Sequence, residues 1–431
     1  METHHVPVYA RNIPATSSER PGRGIVIDTS GGSVVVTADR AVVVPAINNQ
    51  SSTACIRSLG KRGIHVIGVA ENRAAPAIHS KYCSEVAIAP GPETDIEAYA
   101  SRLLELARRP SVRTITPHRE GDIYVLSKYR EEFSEHIGTP WPDFETVRRS
   151  QDRLALLKIA RDVGVTVPET KLLTEWDEWD RQTIVKPRYS ALVDGGRMRS
   201  ATVQFPAPGE RPDVDAVIEE LGHEPIVQAY VPGDPGGNEH GFYALYDHGT
   251  PIAEFQHRRV RSFRYTGGAS VYRKSIFDPD LQRAGRAVLD ALEWHGPAMV
   301  EFKRNPQTDE FVLMEVNPRF WGSLALSIEA GIDFPYIYYQ LATDGVDAGS
   351  TPTYRENVGC HLFWGELAYV LNLFTVHSEH VERPPRLRET GRVMRSLVSE
   401  PRFDLLSVDD GRPFVQETKN YVSDAVGRYR S

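Results

Sequence analysis

Two kinds of apolar pattern alternate along the chain. Short uninterrupted apolar runs bounded by turn residues read as buried strands, and longer stretches with helical spacing read as amphipathic helices. The regular pattern starts at Arg40. AVVVPA is a strand, NNQSST a loop with N-cap residues, ACIRSLGKRG a helix closing on glycine, and HVIGVA a second strand, which together make a βαβ unit. A helix near 94–108, a strand TITP at 114–117 and a helix after Glu120 continue the alternation. This predicts a parallel sheet with covering helices over about 40–145.

The next segment differs. SQDRLALLKIARDVGVTVPET reads as one amphipathic helix ending at Gly164, followed by a short strand. QTIVKP (182–187), PIVQAYVPG (225–233), GFYALYD (241–247) and PIAEFQHRRV (251–260) then alternate with Gly/Pro turns, which predicts a mostly antiparallel sheet. DPDLQRAGRAVLDALEWHG is a helix with Asp278 or Asp280 at its cap, and His295 before Gly296 is read as a turn residue. Residues 1–38 mix Pro, Ser, Gly and charges, with a candidate hairpin at Gly31 and Gly32. Four segments result: an extension (1–38), an α/β domain (39–145), an α+β domain (146–345) and a mainly helical segment (346–431).

Composition narrows the function. The 431 residues are 40% hydrophobic and 25% charged, enough for two or three domains with real cores. A net charge of -8 leaves no basic footprint for nucleic acid and no polybasic patch for a membrane surface, so small molecules are the expected partners. Cys55, Cys83 and Cys360 form neither a disulfide framework nor a CxxC metal motif. No apolar run approaches a membrane span and no targeting signal is visible, so a cytoplasmic location is expected. PAINNQSS stands where a dinucleotide-binding protein would carry GxGxxG, which argues against an NAD-dependent oxidoreductase.

The candidate chemistry lies in AMVEFKR (298–304) and FVLMEVNPRFWGS (311–323). The intervening NPQTDE predicts an antiparallel hairpin, and a turn centred near Thr308 sets Glu301 opposite Glu315. In that register Met299, Glu301, Leu313, Glu315 and Asn317 share one face, while Val300, Phe302, Val312, Met314 and Val316 share the buried one. Two carboxylates about 5 Å apart repel by roughly 3 kcal/mol at an effective dielectric near 20. A divalent cation offsets this, and two carboxylates with an amide are a hard oxygen set suited to Mg²⁺. Arg319, just beyond, has the planar fork for phosphate or carboxylate. The competing reading is a solvated strand face on which Glu301 pairs with Lys303 or Arg304.

EFKRN, LMEVNPRFWGS and AGIDFP together resemble the metal-binding end of the ATP-grasp superfamily, in the branch of the carbamoyl-phosphate synthetase large chain and predicted ATP-dependent carboligases. The resemblance covers roughly residues 40–345. It implies a preATP-grasp, Rossmann-like parallel sheet followed by two α+β subdomains that clasp ATP, with Mg²⁺, or Mn²⁺ in its place, bridging the phosphates. Glu301, Glu315 and Asn317 match the family's metal ligands, and Arg319 matches the arginine facing the transferred phosphate or acyl group. Lys186 resembles the lysine that reaches the α- and β-phosphates. Gln228, Ala229, Tyr230 and Val231 look like the interdomain hinge that bonds adenine through its backbone, and Glu239 resembles the acid holding the ribose. Arg153 stands where the family often has lysine, and SALVDGGRMRS is a phosphate-covering loop with only Gly195 and Gly196.

The resemblance implies an ADP-forming carboxylate–amine ligase acting through an acylphosphate, with small carboxylate and amine substrates and a homodimer as a candidate assembly. A bicarbonate-activating carboxylase or carbamoyl-phosphate-type enzyme and a non-catalytic ATP-binding regulator are the alternatives. HRRVRSFRYTGGAS offers Arg259 and Arg261, sent to one face by alternation, and Gly267 and Gly268 as substrate-binding candidates. Asn48, Asn49, Ser51 and Ser52, at the carboxyl end of the first strand, rank second. Phe320 and Trp321 are expected to pack beneath the metal site.

Overall fold

The computed structural model describes residues 40–430 except 48–49, 200–202, 233–238, 347–351 and 379–380. The chain divides into Met1–Thr37 and Ala38–Ser431, and the described residues belong to the second unit. The N-terminal extension with its candidate hairpin, and Asn48 and Asn49, lie outside them.

Four parallel strands open the unit: β1 (Ala41–Pro45), β2 (His65–Ala70), β3 (Glu85–Ile88) and β4 (Val112–Ile115), in the order β3-β2-β1-β4. Every residue of β1 is buried, as a central parallel strand covered on both faces requires. The expected helices are present as Gln50–Lys61 and Ile96–Ala107, the latter capped by Asp95, whose side chain accepts from the Ala98 N–H. Strand β3 carries no apolar run because it is a half-exposed edge.

The helix read as continuous through Asp152 is instead two, Phe144–Gln151 and Arg153–Asp162. Asp152 ends the first and caps the second by accepting from the Leu154 and Ala155 N–H groups, and its carboxylate pairs with Arg188 at 2.7 Å. Local capping overrides an apolar period that runs through the break.

A small antiparallel sheet follows, built from β5 (Thr170–Leu172) and β6 (Thr183–Lys186), with the short pair β7 (Leu192–Asp194) and β8 (Arg197–Arg199) beside it, and β9 (Ile226–Ala229) running between β5 and β6. The turn joining β7 to β8 is Gly195-Gly196, with φ of 56° and 76°, values open to glycine and costly for most residues. This pair docks on the first part of the chain: the Ile96 N–H donates to the Gly196 carbonyl at 3.1 Å and the Met198 N–H to the Pro92 carbonyl at 3.1 Å.

The central sheet has six antiparallel strands: β10 (Glu239–Asp247), β11 (Thr250–Arg264), β12 (Gly267–Ser275), β13 (Gly296–Arg304), β14 (Phe311–Asn317) and β15 (Gly359–His361), in the order β14-β13-β10-β11-β12-β15. One face packs Phe242, Val300, Phe302, Leu313 and Val316 against helices Pro279–Ala291 and Arg153–Asp162. Burying each such side chain contributes about 1.5–3 kcal/mol. Asp278, not Asp280, caps Pro279–Ala291. Strand β15 comes from the segment beyond 346, so that segment is also part of the sheet. Helices Phe363–Thr375, Arg386–Ser399 and Arg412–Arg430 supply its expected helical character.

Two irregularities correct the predicted faces. In β14 the register shifts between Glu301 and Phe302, so Phe302 faces Leu313 and Met314 is the extra residue. Leu313 therefore joins the apolar face, and Val312 and Met314 do not. In β11 the register shifts again between Arg259 and Arg261, which separates two arginines that strict alternation would align. Among the described residues no helix is long and apolar enough to cross a membrane.

Candidate active site

Strands β13 and β14 bring Glu301 opposite Glu315 and Met299 opposite Asn317. Asn317 Nδ2 lies 3.1 Å from Glu315 Oε1 and 3.5 Å from Glu301 Oε1, so one amide bridges two like charges. The ion-pair partner of Glu315 is Arg153, the first residue of its helix, with Nη2 3.5 Å from Glu315 Oε2. Burial and the neighbouring carboxylates, Glu315 first, push Glu301 well above the usual carboxylate range. Burial pushes Glu315 the same way, but Arg153, the Asn317 amide and Lys186 outweigh it and hold that carboxyl low. The structure thus holds one ionised and one proton-prone carboxyl side by side, a pair short of positive charge.

Arg319 extends this cluster. Its Nε donates to Glu120 Oε1 at 2.8 Å, one Nη to Asn317 Oδ1 at 3.0 Å and the other to the Phe320 carbonyl at 3.1 Å. Glu120 opens the helix Glu120–Lys128 on the parallel-sheet side, and the Phe320 N–H donates to the Pro117 carbonyl just past β4. The carboxyl end of the parallel sheet and the hairpin end therefore meet at one place. Phe320 and Trp321 are fully buried beneath it.

Lys186 ends β6 and is almost wholly buried. Burial, then the Arg153 guanidinium, lowers its pKa to about 7 despite the opposing fields of Glu315 and Glu301. An anion brought beside this amine would recharge it.

Of the hinge residues, the Ala229 N–H donates to the Glu169 carbonyl and the Tyr230 N–H to the Gln182 carbonyl. Ala229 can therefore offer an external ligand only its carbonyl. Gln228 donates to Thr170 Oγ1 at 3.0 Å and leaves a buried Oε1 acceptor without a partner. Lys303 lies 5.4 Å over the Tyr230 ring and stands opposite Glu239 in the sheet, tying the hinge to the hairpin.

A cavity of about 420 Å³ opens beside the carboxylates, lined among others by Gln50, Glu239, His257, Arg259, Glu301 and Arg319. Arg259 pairs with Glu239 and donates to the Gly268 carbonyl at 2.7 Å, while its buried Nε has no partner. Gly268 lines the cavity and Gly267 is not among its lining residues. Arg261 does not reach it either. Its guanidinium is buried against Glu366 at 2.6 and 2.7 Å, because the bulge in β11 turns it to the other face. Ser51 and Ser52 are internal as well: Ser52 Oγ donates to the Pro45 carbonyl, and Ser51 Oγ bonds His118 Nδ1.

Sequence reasoning missed Tyr243, His257 and Ser323, whose side chains form one chain on the cavity wall. His257 Nε2 is 2.5 Å from Tyr243 Oη and 2.7 Å from Ser323 Oγ. Gly241, opposite Glu301, lets the Tyr243 phenol lie over the strand, since a Cβ there would stand 2.2 Å from its oxygen. The only available signals were the position of His257 at the head of the arginine run and of Ser323 after the carboxylate hairpin. Glu120, which holds Arg319, lies far upstream and gave none.

A divalent cation fits the hairpin. The donors are two carboxylates and an amide, Glu301 has no ion-pair partner among the described residues, and a half-turn of the Asn317 amide exchanges Nδ2 for Oδ1 toward them in place of its bond from Arg319. Nucleotide contacts also have candidates in the free Gln228 Oε1, the Ala229 carbonyl and Lys186.

Comparison with known proteins leads to the same elements. The family model described as ATP-grasp in the biosynthetic pathway with Ter operon matches residues 238–360, which span the central sheet from β10 to β15. A D-aspartate ligase of Enterococcus faecium is 22% identical over 279 residues, covering 58% of this chain and 64% of the relative, slightly under two thirds of its length. Biotin carboxylase from Campylobacter jejuni, solved as a β,γ-ATP complex, superimposes with a TM-score of 0.56 at 16% identity over 74% of each chain. L-amino acid ligase from Bacillus licheniformis gives 0.53 at 15% identity over 74% of this chain and 79% of that one. These structures share the fold, and the ATP-grasp family model matches the part of the chain, residues 238–360, whose strands unite Glu301, Glu315, Asn317 and Arg319.

Proposed function

We propose that this protein is an ATP- and Mg²⁺-dependent ligase that activates a carboxylate as an acylphosphate and passes the acyl group to an amine. The observation that carries this reading is the Glu301–Glu315 pair, opposed across β13 and β14, of which Glu301 lines the cavity and Glu315 is ion-paired with Arg153. In this reading residues 39–145 form the preATP-grasp part, 146–345 clasp the nucleotide and 346–431 brace them.

Glu301, Glu315 and Asn317 would hold Mg²⁺, or Mn²⁺ in its place, and the ion supplies the charge that neutralises the phosphates. Lys186 and Arg153 bring fixed positive charge to the phosphate chain. The Ala229 carbonyl, Val231 N–H and Gln228 Oε1 meet the adenine edge, Tyr230 packs beside it, and Glu239 serves the ribose or the substrate. Arg319, oriented by Glu120 and Asn317, faces the transferred phosphoryl group. A substrate carboxylate oxygen attacks the γ-phosphorus and ADP leaves with the bridging oxygen. The amine nitrogen then attacks the acyl carbon, phosphate departs, and the nitrogen loses a proton. Catalysis here is positioning and electrostatic stabilisation, with no covalent step on the protein.

The cavity volume falls in the range of about 300–1,000 Å³ usual for small-molecule sites, more than bicarbonate needs. Its lining carries Arg259 and Arg319 together with Glu239 and Glu301, so charges of both signs are within reach. That supports an amino acid as one substrate, in keeping with the names of the D-aspartate and L-amino acid ligases. Of the basic strand, Arg259 and Gly268 are the substrate contacts in this reading, and Arg261 and Gly267 are not.

The test incubates the protein with Mg²⁺-ATP, an amino-acid pool and hydroxylamine beside a Glu315→Gln control. Substrate-dependent ADP and hydroxamate, absent in the control, are expected. AMP with pyrophosphate, or equal ADP in the control, would overturn the reading.

A further inference from the structure

Three metal-ligating side chains converge far from the cavity, at the other end of β10 and β13. Asp247 ends β10, His248 occupies the turn to β11, and His295 precedes β13. Gly241 faces Glu301 and Tyr246 faces Gly296 in the same ladder, so the cluster stands five residues along from the carboxylate pair. At strand rise that is about 17 Å.

His295 Nδ1 is 3.5 Å from Asp247 Oδ1, and His248 Nε2 is 3.9 Å from the same oxygen. One donor atom from each residue lies within 4.8 Å of the others. The two imidazoles stack with centroids 4.0 Å apart and planes 7° from parallel. Four-coordinate zinc with nitrogen and oxygen ligands sets its donors about 3.3 Å apart, so closing the cluster on an ion takes shifts of about 1.5 Å together with rotation of the exposed His248 ring out of the stack, since parallel rings aim their in-plane lone pairs side by side.

Two further features suit a site. The two-residue turn needs positive φ at both positions, and they are His248 at 43° and Gly249 at 80°. Asparagine or glycine fits the first of these without strain, whereas histidine is held there at a cost while its ring covers His295. His295 is largely buried, 12% exposed at its side chain. Its Nδ1 accepts from the His248 N–H at 3.2 Å, a bond that an ion on Nδ1 would replace, and its ring also donates to the Thr139 backbone, the kind of bond that fixes the tautomer of metal-ligating histidines.

We propose that Asp247, His248 and His295 form a second metal site, for a borderline divalent cation of the zinc type, which staples the β10–β11 turn to the start of β13. Two imidazoles with one carboxylate favour zinc, cobalt or nickel over Mg²⁺, which prefers oxygen donors. The side chains of His248 and Asp247 are 74% and 42% exposed, so the ion enters from solvent and water completes its shell.

The test is titration of the untagged full chain with Co²⁺, read by its ligand-field absorption, then displacement by Zn²⁺, all in excess Mg²⁺. His248→Asn keeps a residue suited to positive φ and removes one ligand. His295→Gln removes another. Wild type should bind one equivalent displaced by Zn²⁺, both variants should weaken binding by about 10–100-fold, and Glu315→Gln should bind as wild type. His4 and His5 persist in every variant and cannot account for such a loss. Equal binding by wild type and His248→Asn, or no ligand-field absorption in wild type, would overturn the proposal. Because His248 is exposed, its variant remains decisive if His295→Gln fails to fold.

Discussion

The hairpin β13–β14 and the surface where the C-terminal segment meets β11 and β12 both place charge in low-exposure positions, and they treat it in opposite ways. At the C-terminal surface every buried arginine has a carboxylate in bidentate reach: Arg261 with Glu366 at 2.6 and 2.7 Å, and Arg273 with Asp404 at 2.6 and 2.7 Å. At the hairpin two carboxylates face each other with an amide between them and a guanidinium 3.5 Å away. Charge that holds the fold is matched within the chain. Charge at the proposed ligand site is only partly matched, and in that reading binding relieves the mismatch.

Neutralising one hairpin carboxylate should break that comparison most sharply. Glu315→Gln is expected to lower turnover by about 10³-fold, roughly 4 kcal/mol at the transition state, while costing only about 1 kcal/mol of stability, because Arg153 and Lys186 lose a carboxylate that they hold ionised. Initial rates of ADP release and a melting curve on the same sample check both halves. A variant that loses activity by unfolding would contradict the assignment.

The converse variant is Asp404→Asn, which leaves the Arg273 guanidinium buried without its partner. A loss of about 3–5 kcal/mol in urea unfolding is expected. Replacing both partners with apolar residues of similar volume should recover most of that loss, as expected if the pair serves the fold alone.

Lys186 sharpens the comparison from the ligand's side. Its native pKa of about 7 lies below the usual lysine value, so between the two the unfolded chain holds a proton that the native state does not. Stability should therefore rise with pH across that window, with the full cost present below pH 7, and Lys186→Met should flatten the slope. Mg²⁺-ATP should reverse the shift, so calorimetry at pH 8 in buffers of different ionisation heat should show proton uptake in wild type and none from this site in Lys186→Met.

The smallest effect is that of the ion alone. With Mg²⁺ at about five times its dissociation constant the gain is about 1 kcal/mol, a rise of about 1–3 °C in Tm. The Glu301→Gln variant should lose this increment, whereas Asp404→Asn should keep it.

Much of this arrangement was legible in the chain. The facing of Glu301 and Glu315 followed from a turn centred near Thr308, although the turn itself pairs Arg304 with Phe311 and the bulge at Met314 completes the match. The faces of Leu313 and Arg261 did not, because each lies past a bulge that no residue pattern announced. Strands β3 and β15 escaped notice for a related reason: one is a half-exposed edge and the other only three residues long. The break at Asp152 was hidden because an apolar helical period continues through it, and only the Arg188 pairing and the cap show why the chain stops there.

By itself the sequence determined the α/β followed by α+β order of elements, the apolar faces of the regular strands and the presence of two opposed acids with an amide and a guanidinium beyond them. These depend on side-chain period and turn chemistry, which act over a few residues. The tertiary structure decided which charges are spent and which are free. Arg261 meets Glu366 across 105 residues and Arg319 meets Glu120 across 199. Electrostatic energy and desolvation depend on distance in space and on burial, so no spacing along the chain could show that Arg261 belongs to the fold while Arg259 remains beside the cavity.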